Sequence, residues 1–329
     1  MAEPVAIHLD TDLGGDIDDL CALAFLLREP SARLLGITTC CEQGGRRAGY
    51  VRHALAEAGR RDTRVQAGAN ASLARYRLDP PIPDEITFWR EPVPPAPGPL
   101  AAALDLLAAS VEAGARIVAI GPLTNLALLE ERQPGLLAAA NVTAMGGWFD
   151  PPPAGIVPWT FRDDFNLQLD VTSAELVIAH AGALTLVPAT VTVQTFLRQH
   201  HLGQLEGAGP LPALLAHQAR CHDANWRSMP ELEFLYRYVP QDFLNFQHDP
   251  LTCAVALGWT AGVELQELSV AAVREAGWLR TRFNPLGRPA RVVTSVQDQR
   301  FADHWLHTVT GHDSAEAPSG GAAVPWSTA

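Results

Sequence analysis

Short apolar runs rich in β-branched residues alternate along the chain with longer stretches whose apolar positions recur at helical spacing. VAIHLD (5–10) reads as a strand and DDLCALAFLLRE (18–29) as a helix. ARLLGITT (32–39) returns to strand, RRAGYVRHALAEAG (46–59) to helix, and RVQAG (64–68) to a short strand. A helix over 100–114 is followed by strands over 115–121 and 141–147 with a helix between them, then a helix over 172–182 and a strand over 184–191. This alternation predicts a Rossmann-like α/β fold, a mostly parallel central sheet with helices on both faces. Ligands of such folds collect at the carboxyl ends of the strands. Proline-rich stretches at 79–98 and 150–158 read as loops, and 192–247 as helices packed over one end of the sheet. No composition shift marks a second domain, so 1–311 is expected to be a single domain. The small, polar, Pro/Gly-rich tail 312–329 is expected to be disordered.

The first strand runs into LDTDLGGDIDDL, which sets Asp10, Asp12, Asp16, Asp18 and Asp19 within ten residues around a Gly-Gly turn. One or two of these aspartates would serve as helix caps. Five are harder to place, because like charges near 4 Å repel by about 1 kcal/mol even in water. A bound cation relieves that repulsion, and an all-oxygen donor set favours a hard ion, Ca2+ or Mg2+. Three further polar segments follow strand patterns: GPLTN (121–125), RDDFN (162–166) and FQHDPL (246–251). Taken singly each is a turn or a cap, and Asp249 before Pro250 has the order of an N-cap with proline at the first helical position. Converging on one sheet edge, they read as a site.

Composition narrows the function classes. The chain has 329 residues, 47% of them apolar and 18% charged, which suits a large core. A formal net charge of -12 disfavours nucleic acid and anionic membrane as partners. All 24 basic residues are arginine, so no mechanism can use a lysine. Cys21, Cys40, Cys41, Cys221 and Cys253 match no zinc spacing and read as reduced thiols. The amino terminus lacks a signal-peptide pattern and no run is long enough to span a bilayer, so a cytoplasmic protein is expected.

The aspartate cluster resembles the DxDxxxDD signature of the inosine-uridine-preferring nucleoside hydrolases, with two extra residues before Asp18-Asp19. The likeness continues in order through GITT (36–39), GPLTNLA (121–127), MGG (145–147), DFN (164–166), VP (187–188) and HDPL (248–251). The resemblance implies the nucleoside hydrolase fold and calcium-dependent hydrolysis of the N-glycosidic bond of a ribonucleoside. It also implies a small-molecule partner and a homodimer or homotetramer. Carried over by position, Asp12 would bind calcium and deprotonate the attacking water, and Asp19, Asp249 and the carbonyl of Thr124 would complete the metal ligands. Asp18, Asp164 and Asn166 would hold sugar hydroxyls, with Met145 near the 5′ end. Asp10 would support the site from behind, and His248 would protonate the departing base. Water attacking directly predicts inversion at the anomeric carbon.

Several positions depart from the family. CCEQGG follows GITT where the family continues to an asparagine that steers the catalytic aspartate, so Gln43 or Glu42 would substitute. Phe88, Trp89 and Arg90 stand near the usual base-recognition segment, Pro158 replaces a 5′-binding asparagine, and Asp164 a longer glutamate. Arg162 is a candidate for a polar or anionic 5′ substituent. Trp148, Trp159, Trp226, Tyr236 and Tyr238 are candidate base-stacking residues, whereas His200, His201, His217 and His222 read as surface or packing residues. Two alternatives use the same aspartates. A haloacid-dehalogenase-like Mg2+ phosphatase would make Asp10 the nucleophile and Asp12 the acid–base, but would want a later acidic metal motif where HDPL stands. A catalytically weak nucleoside- or ribosyl-binding protein would keep the fold without turnover.

Overall fold

A computed structural model describes residues 3–73 and 83–311. Its main sheet has nine strands, and two more pair separately. In chain order they are β1 (Val5–Thr11), β2 (Ala32–Thr39), β3 (Val65–Ala67), β4 (Arg116–Ala119), β5 (Asn141–Met145), β6 (Ala183–Val187), β7 (Phe196–Arg198), β8 (Phe243–Phe246), β9 (Val263–Glu275), β10 (Trp278–Phe283) and β11 (Arg288–Val296). The sheet order is β10-β9-β11-β6-β5-β4-β1-β2-β3. Strands β3 to β11 along this order pair in parallel, and β9 and β10 extend the sheet antiparallel. The order reverses between β1 and β4, the switch point at which doubly wound sheets open a ligand crevice.

Side chains of one strand alternate between the two faces, and each face carries its own core. On β4, Ile117 and Ala119 join Leu107, Leu126 and Val177 on one side, while Val118 and the following Ile120 join Phe25, Leu251 and Trp305 on the other. Helix Asp18–Arg28 packs into the second of these cores through Leu20, Leu23 and Phe25. The turn before it needs glycine at position 14. Gly14 has φ 116°, and a Cβ there would collide with the Tyr50 ring.

The mostly parallel α/β fold expected from the pattern is present, with four local differences. The strand expected over 184–191 ends at Val187, because Pro188 opens a short helix, Ala189–Thr192, instead. Residues 192–247 hold not only helices but also the antiparallel pair β7–β8. The proline-rich stretch 79–98 contains a short helix, Glu85–Trp89, with Asp84 accepting from the Thr87 amide at 2.8 Å; its residues 79–82, like the tail 312–329, lie outside the described residues. The periodicity assigned nothing to 263–296, where β9, β10 and β11 lie. All five cysteines are free thiols, and among the described residues no helix is long and apolar enough to cross a membrane.

Trp305 is fully buried in the helix Asp298–Thr310, and its indole N–H donates to the Cys21 carbonyl at 3.2 Å. Trp305→Ala is expected to lower unfolding free energy by about 3–5 kcal/mol. Denaturant titration checks this, and a loss below about 1 kcal/mol would show that the carboxy-terminal helix does not hold this core.

Candidate active site

Asp18 and Asp19 open their helix without capping it. The N-cap is Ile17, with no side-chain cap bond, so both carboxylates are left for other work. Asp249 likewise lies in the first turn of helix His248–Leu257 rather than at its N-cap, which is Gln247. Carboxylate oxygens of Asp18, Asp19 and Asp249 lie within 4.8 Å of one another, and all three residues are buried. Burial first, and then repulsion among these three, Asp12 and (for Asp18 and Asp19) Asp16, pushes each carboxyl well above the usual carboxylate range. Asp12 borders the same cavity. Gly121 is needed at its back, because a Cβ there would come within 2.7 Å of Asp12 Oδ1.

Behind this cluster a buried chain of hydrogen bonds fixes β1. Ser110 and Thr38 hold the His8 ring at 2.8 and 2.9 Å. Thr38 donates to Asp10 Oδ1 at 2.5 Å, and Asn125 donates to the same oxygen at 2.7 Å. Burial raises the Asp10 carboxyl to about 7 and lowers His8 to about 3. Thr11 donates to Asp19 Oδ1.

The donor chemistry fits a hard divalent cation. Three buried carboxylates share one spot, and only oxygen donors approach one another closely there. The guanidinium of Arg47 stands beside Asp12 and Asp19; burial opposes its charge, and those two carboxylates outweigh that and hold it protonated. One cation does not balance four carboxylates.

The cavity above the cluster measures about 1310 Å3. Asp164, Asn166 and Met145 border it at the ends of β5 and the following loop. Asp164 accepts from the amides of Gly147 at 2.5 Å and Leu167 at 3.2 Å. Asn166 donates to the Ile120 carbonyl at 2.9 Å. Across the cavity, Trp159, Trp226, Phe234 and Phe246 form an apolar wall beside Phe88 and His248. Thr192 Oγ1 bonds His248 Nδ1 at 2.6 Å, and burial lowers this imidazole to about 4.

Several sequence-derived positions fall elsewhere. Thr124 is buried outside the cavity wall, its hydroxyl donating to Asp170 at 2.6 Å; Ile120, just after β4, borders the cavity instead. Gln43 does not reach the cavity, and Glu42 is turned inward to accept from the amides of Arg47 and Ala48 and from Thr39. The residue this segment does send to the site is Arg47. Arg162 packs over the rings of Phe161 and Trp278, 5.7 Å from each centroid, rather than in the cavity. Trp148 is in the core, Tyr236 packs against Phe243, Trp89 stacks on Tyr50, and Tyr238 lies outside the cavity wall. His200 pairs with Asp242, His201 is buried, and His217 bonds the Thr87 carbonyl. His222, in contrast, borders the cavity and bonds Asp16. No one-dimensional signal marked Arg47 or His222, since each reaches the site from a helix face, and His222 from a helix far along the chain.

The family model for inosine-uridine preferring nucleoside hydrolases matches residues 7–303. The chain belongs to that family. Among curated relatives, the pyrimidine-specific ribonucleoside hydrolase RihA of Shewanella sp. (strain MR-4) is 30% identical over 92% of this chain and 95% of its own length. RihA of Shewanella sp. (strain ANA-3) is 28% identical over the same shares. Among solved structures, a purine-preferring ribonucleoside hydrolase from Gardnerella vaginalis superposes with TM-score 0.74 at 21% identity, covering 93% of this chain and 98% of its own. A plant nucleoside hydrolase gives 0.73 at 22%, covering 94% and 100%. Membership of that family makes the chain a nucleoside hydrolase, an N-glycosidase, which sets aside the phosphatase alternative.

The buried network predicts a pH effect on stability. An unfolded imidazole gains a proton below about pH 6.5, whereas folded His8 stays neutral down to about 3. At this residue the unfolded state therefore binds more protons in that window, so the His8 contribution to stability falls as pH drops through it, opposite in sign to that of Asp10, whose raised carboxyl keeps its proton in the folded state. Wild type is expected to lose stability relative to His8→Asn by up to about 1.4 kcal/mol per pH unit, with no change in the difference above about pH 7. Denaturant titrations at stepped pH check this; parallel curves would refute it.

Proposed function

We propose that this protein hydrolyses the N-glycosidic bond of a ribonucleoside or related ribosyl compound, with calcium as its ion and inversion at the anomeric carbon. The observation that carries the reading is the meeting of Asp18, Asp19 and Asp249 beside Asp12, at the switch point of the sheet and beneath an aromatic wall. Asp12, Asp19 and Asp249 hold the ion, and the Ile120 carbonyl takes the part expected of Thr124, since it borders the cavity and a carbonyl oxygen has a second lone pair beyond the one Asn166 uses. When bound, the calcium supplies a concentrated positive charge that orients the sugar diol and the hydrolytic water and acidifies that water.

The chain's own groups perform the remaining steps. Asp12 takes the water proton as the bond to the base breaks. Asp18, Asp164 and Asn166 hold the sugar hydroxyls, with Met145 along the 5′ side. Positive charge growing on the ribosyl ring is stabilised by the surrounding carboxylates. Asp10 acts from behind, through the Thr38 and Asn125 bonds that fix the end of β1. His248 stands among the aromatic residues on the base side. Burial keeps its imidazole neutral at pH 7, so its aid to the departing base is a hydrogen bond donated by a neutral ring rather than a stored proton.

A reducing-sugar assay across ribonucleosides tests this. Activity is expected to vanish with chelator and to return with calcium, and Asp12→Asn is expected to lower kcat by about 10²–10⁴-fold. Proton NMR of the first-formed sugar from a β-nucleoside should show the α anomer. Chelator-insensitive turnover, or β-ribose as the initial product, would overturn the proposal.

A second expectation concerns stability. Calcium at 100 times its Kd should stabilise wild type by about 2.7 kcal/mol. Asp249→Asn should abolish most of the corresponding rise in Tm. An unchanged rise would remove Asp249 from the ligand set.

A further inference from the structure

Asp16 lies in the five-residue run between Asp12 and Asp18, and neither caps the helix nor joins the close carboxylate triplet. Its Oδ1 is saturated. The Ile17 amide donates to it at 2.6 Å, Asn245 Nδ2 donates to it, and His222 Nε2 lies 3.1 Å away. Among the described residues nothing bonds Oδ2, and 35% of the side chain is exposed at the cavity wall. One carboxylate oxygen is thus clamped by three donors while the other is left for a ligand.

The clamp also fixes where that oxygen stands. Asn245 belongs to β8 and His222 to helix Pro210–Arg227, the elements that carry Phe246 and Trp226 of the aromatic wall. Asp16 itself belongs to the turn that supplies Asp18 and Asp19. It therefore sits at the seam between the carboxylate floor and the aromatic wall. A nucleoside with its ribose diol on the floor must carry its base past this seam.

We propose that Asp16 determines leaving-group specificity, its free oxygen accepting a hydrogen bond from a ring N–H or exocyclic amine of the departing base. This deepens the nucleoside hydrolase reading above and rests on it. An ionised carboxylate is acceptor-only, so it reads donors and repels a base edge that offers lone pairs. Methylating the donor removes the bond and leaves the free carboxylate oxygen covered by the base without a partner, the situation in which polar sites discriminate by large factors.

The experiment compares kcat/KM for uridine and 3-methyluridine, inosine and 1-methylinosine, and cytidine and N4,N4-dimethylcytidine. Wild type should favour the unmethylated member by about 100-fold or more in the pair it cleaves best. Asp16→Ala and the isosteric Asp16→Asn, whose amide turns a donor toward the base, should both shrink that ratio to below about tenfold. Calcium affinity by titration calorimetry should stay within about threefold of wild type in each. A wild type indifferent to methylation, or variants that keep the full ratio, would overturn the proposal. So would a variant that loses calcium affinity with its ratio intact, which would make Asp16 a metal ligand. Absence of turnover on every nucleoside by wild type would instead defeat the parent reading together with this one.

Discussion

Four carboxylates pressed together out of water, at the point where the strand order reverses, set the terms for everything around them. Asp18, Asp19 and Asp249 have oxygens within 4.8 Å of one another, with Asp12 beside them. Left alone such a group would hold protons, as the upward shifts of the three triplet members record. Part of the compensation is built into the backbone. Asp18 and Asp19 occupy the first turn of one helix and Asp249 the first turn of another, where the positive ends of the helix dipoles meet negative charge. Arg47 adds one fixed cation. The remainder is what a divalent ion would supply, and the same imbalance that makes the site costly when bare makes it a strong oxygen cage when filled.

Holding the cage rigid requires a foundation that does not share its charge. Asp10 is the base of that foundation: buried, bonded to Thr38 and Asn125, and raised to about 7 because burial opposes its ionisation. His8 and Ser110 extend the network through the sheet to helix Leu100–Glu112. Asn125 also donates to the Thr39 carbonyl at 3.0 Å, so one side chain ties β1 and β2 to the segment after β4. Networks of this kind fix geometry because each member has few alternative partners in a dry interior.

The cavity is built in two parts with different chemistry. Its floor comes from the carboxyl ends of parallel strands and is acidic. Its wall is aromatic, with Trp226 from helix Pro210–Arg227, Phe246 from β8, and Trp159 and Phe234 from the segments around them. The division suits a substrate with a hydroxyl-rich sugar and a flat base. The floor keeps the aspartates of the family signature, whereas the departures from the family at Phe88, Trp89, Arg90 and Pro158 lie outside it. Reaction chemistry tolerates little change in a coordination cage, whereas recognition of a leaving group can be rebuilt from any side chains that reach it.

Strand–helix alternation and the clustering of aspartates after the first strand were enough to determine strands β1 to β6 and the acidic cluster that follows β1, but not β9 to β11 or the strand order. Those six strands and that cluster follow from periodicity and from the local geometry of a strand leading into a helix, both written in adjacent residues. Asp12, Asp18, Asp19, Asp164, Asn166, Met145, His248 and Asp249 all border the one cavity. What the sequence could not reveal depends on side-chain direction and on contacts across many residues. Thr124 and Ile120 are four positions apart, and only the folded chain shows that Ile120 borders the cavity while Thr124 does not. Glu42, expected with Gln43 to steer the catalytic aspartate, instead accepts from the Arg47 and Ala48 amides, and Arg47, to which the sequence pattern gave no role, borders the cavity. Asp16 and His222 are separated by more than two hundred positions and meet only because the helix bearing His222 closes over the sheet edge. Local pattern determined the first six strands and the chemistry they carry; long-range packing, which no one-dimensional pattern encodes, decided which atoms of that chemistry face the cavity.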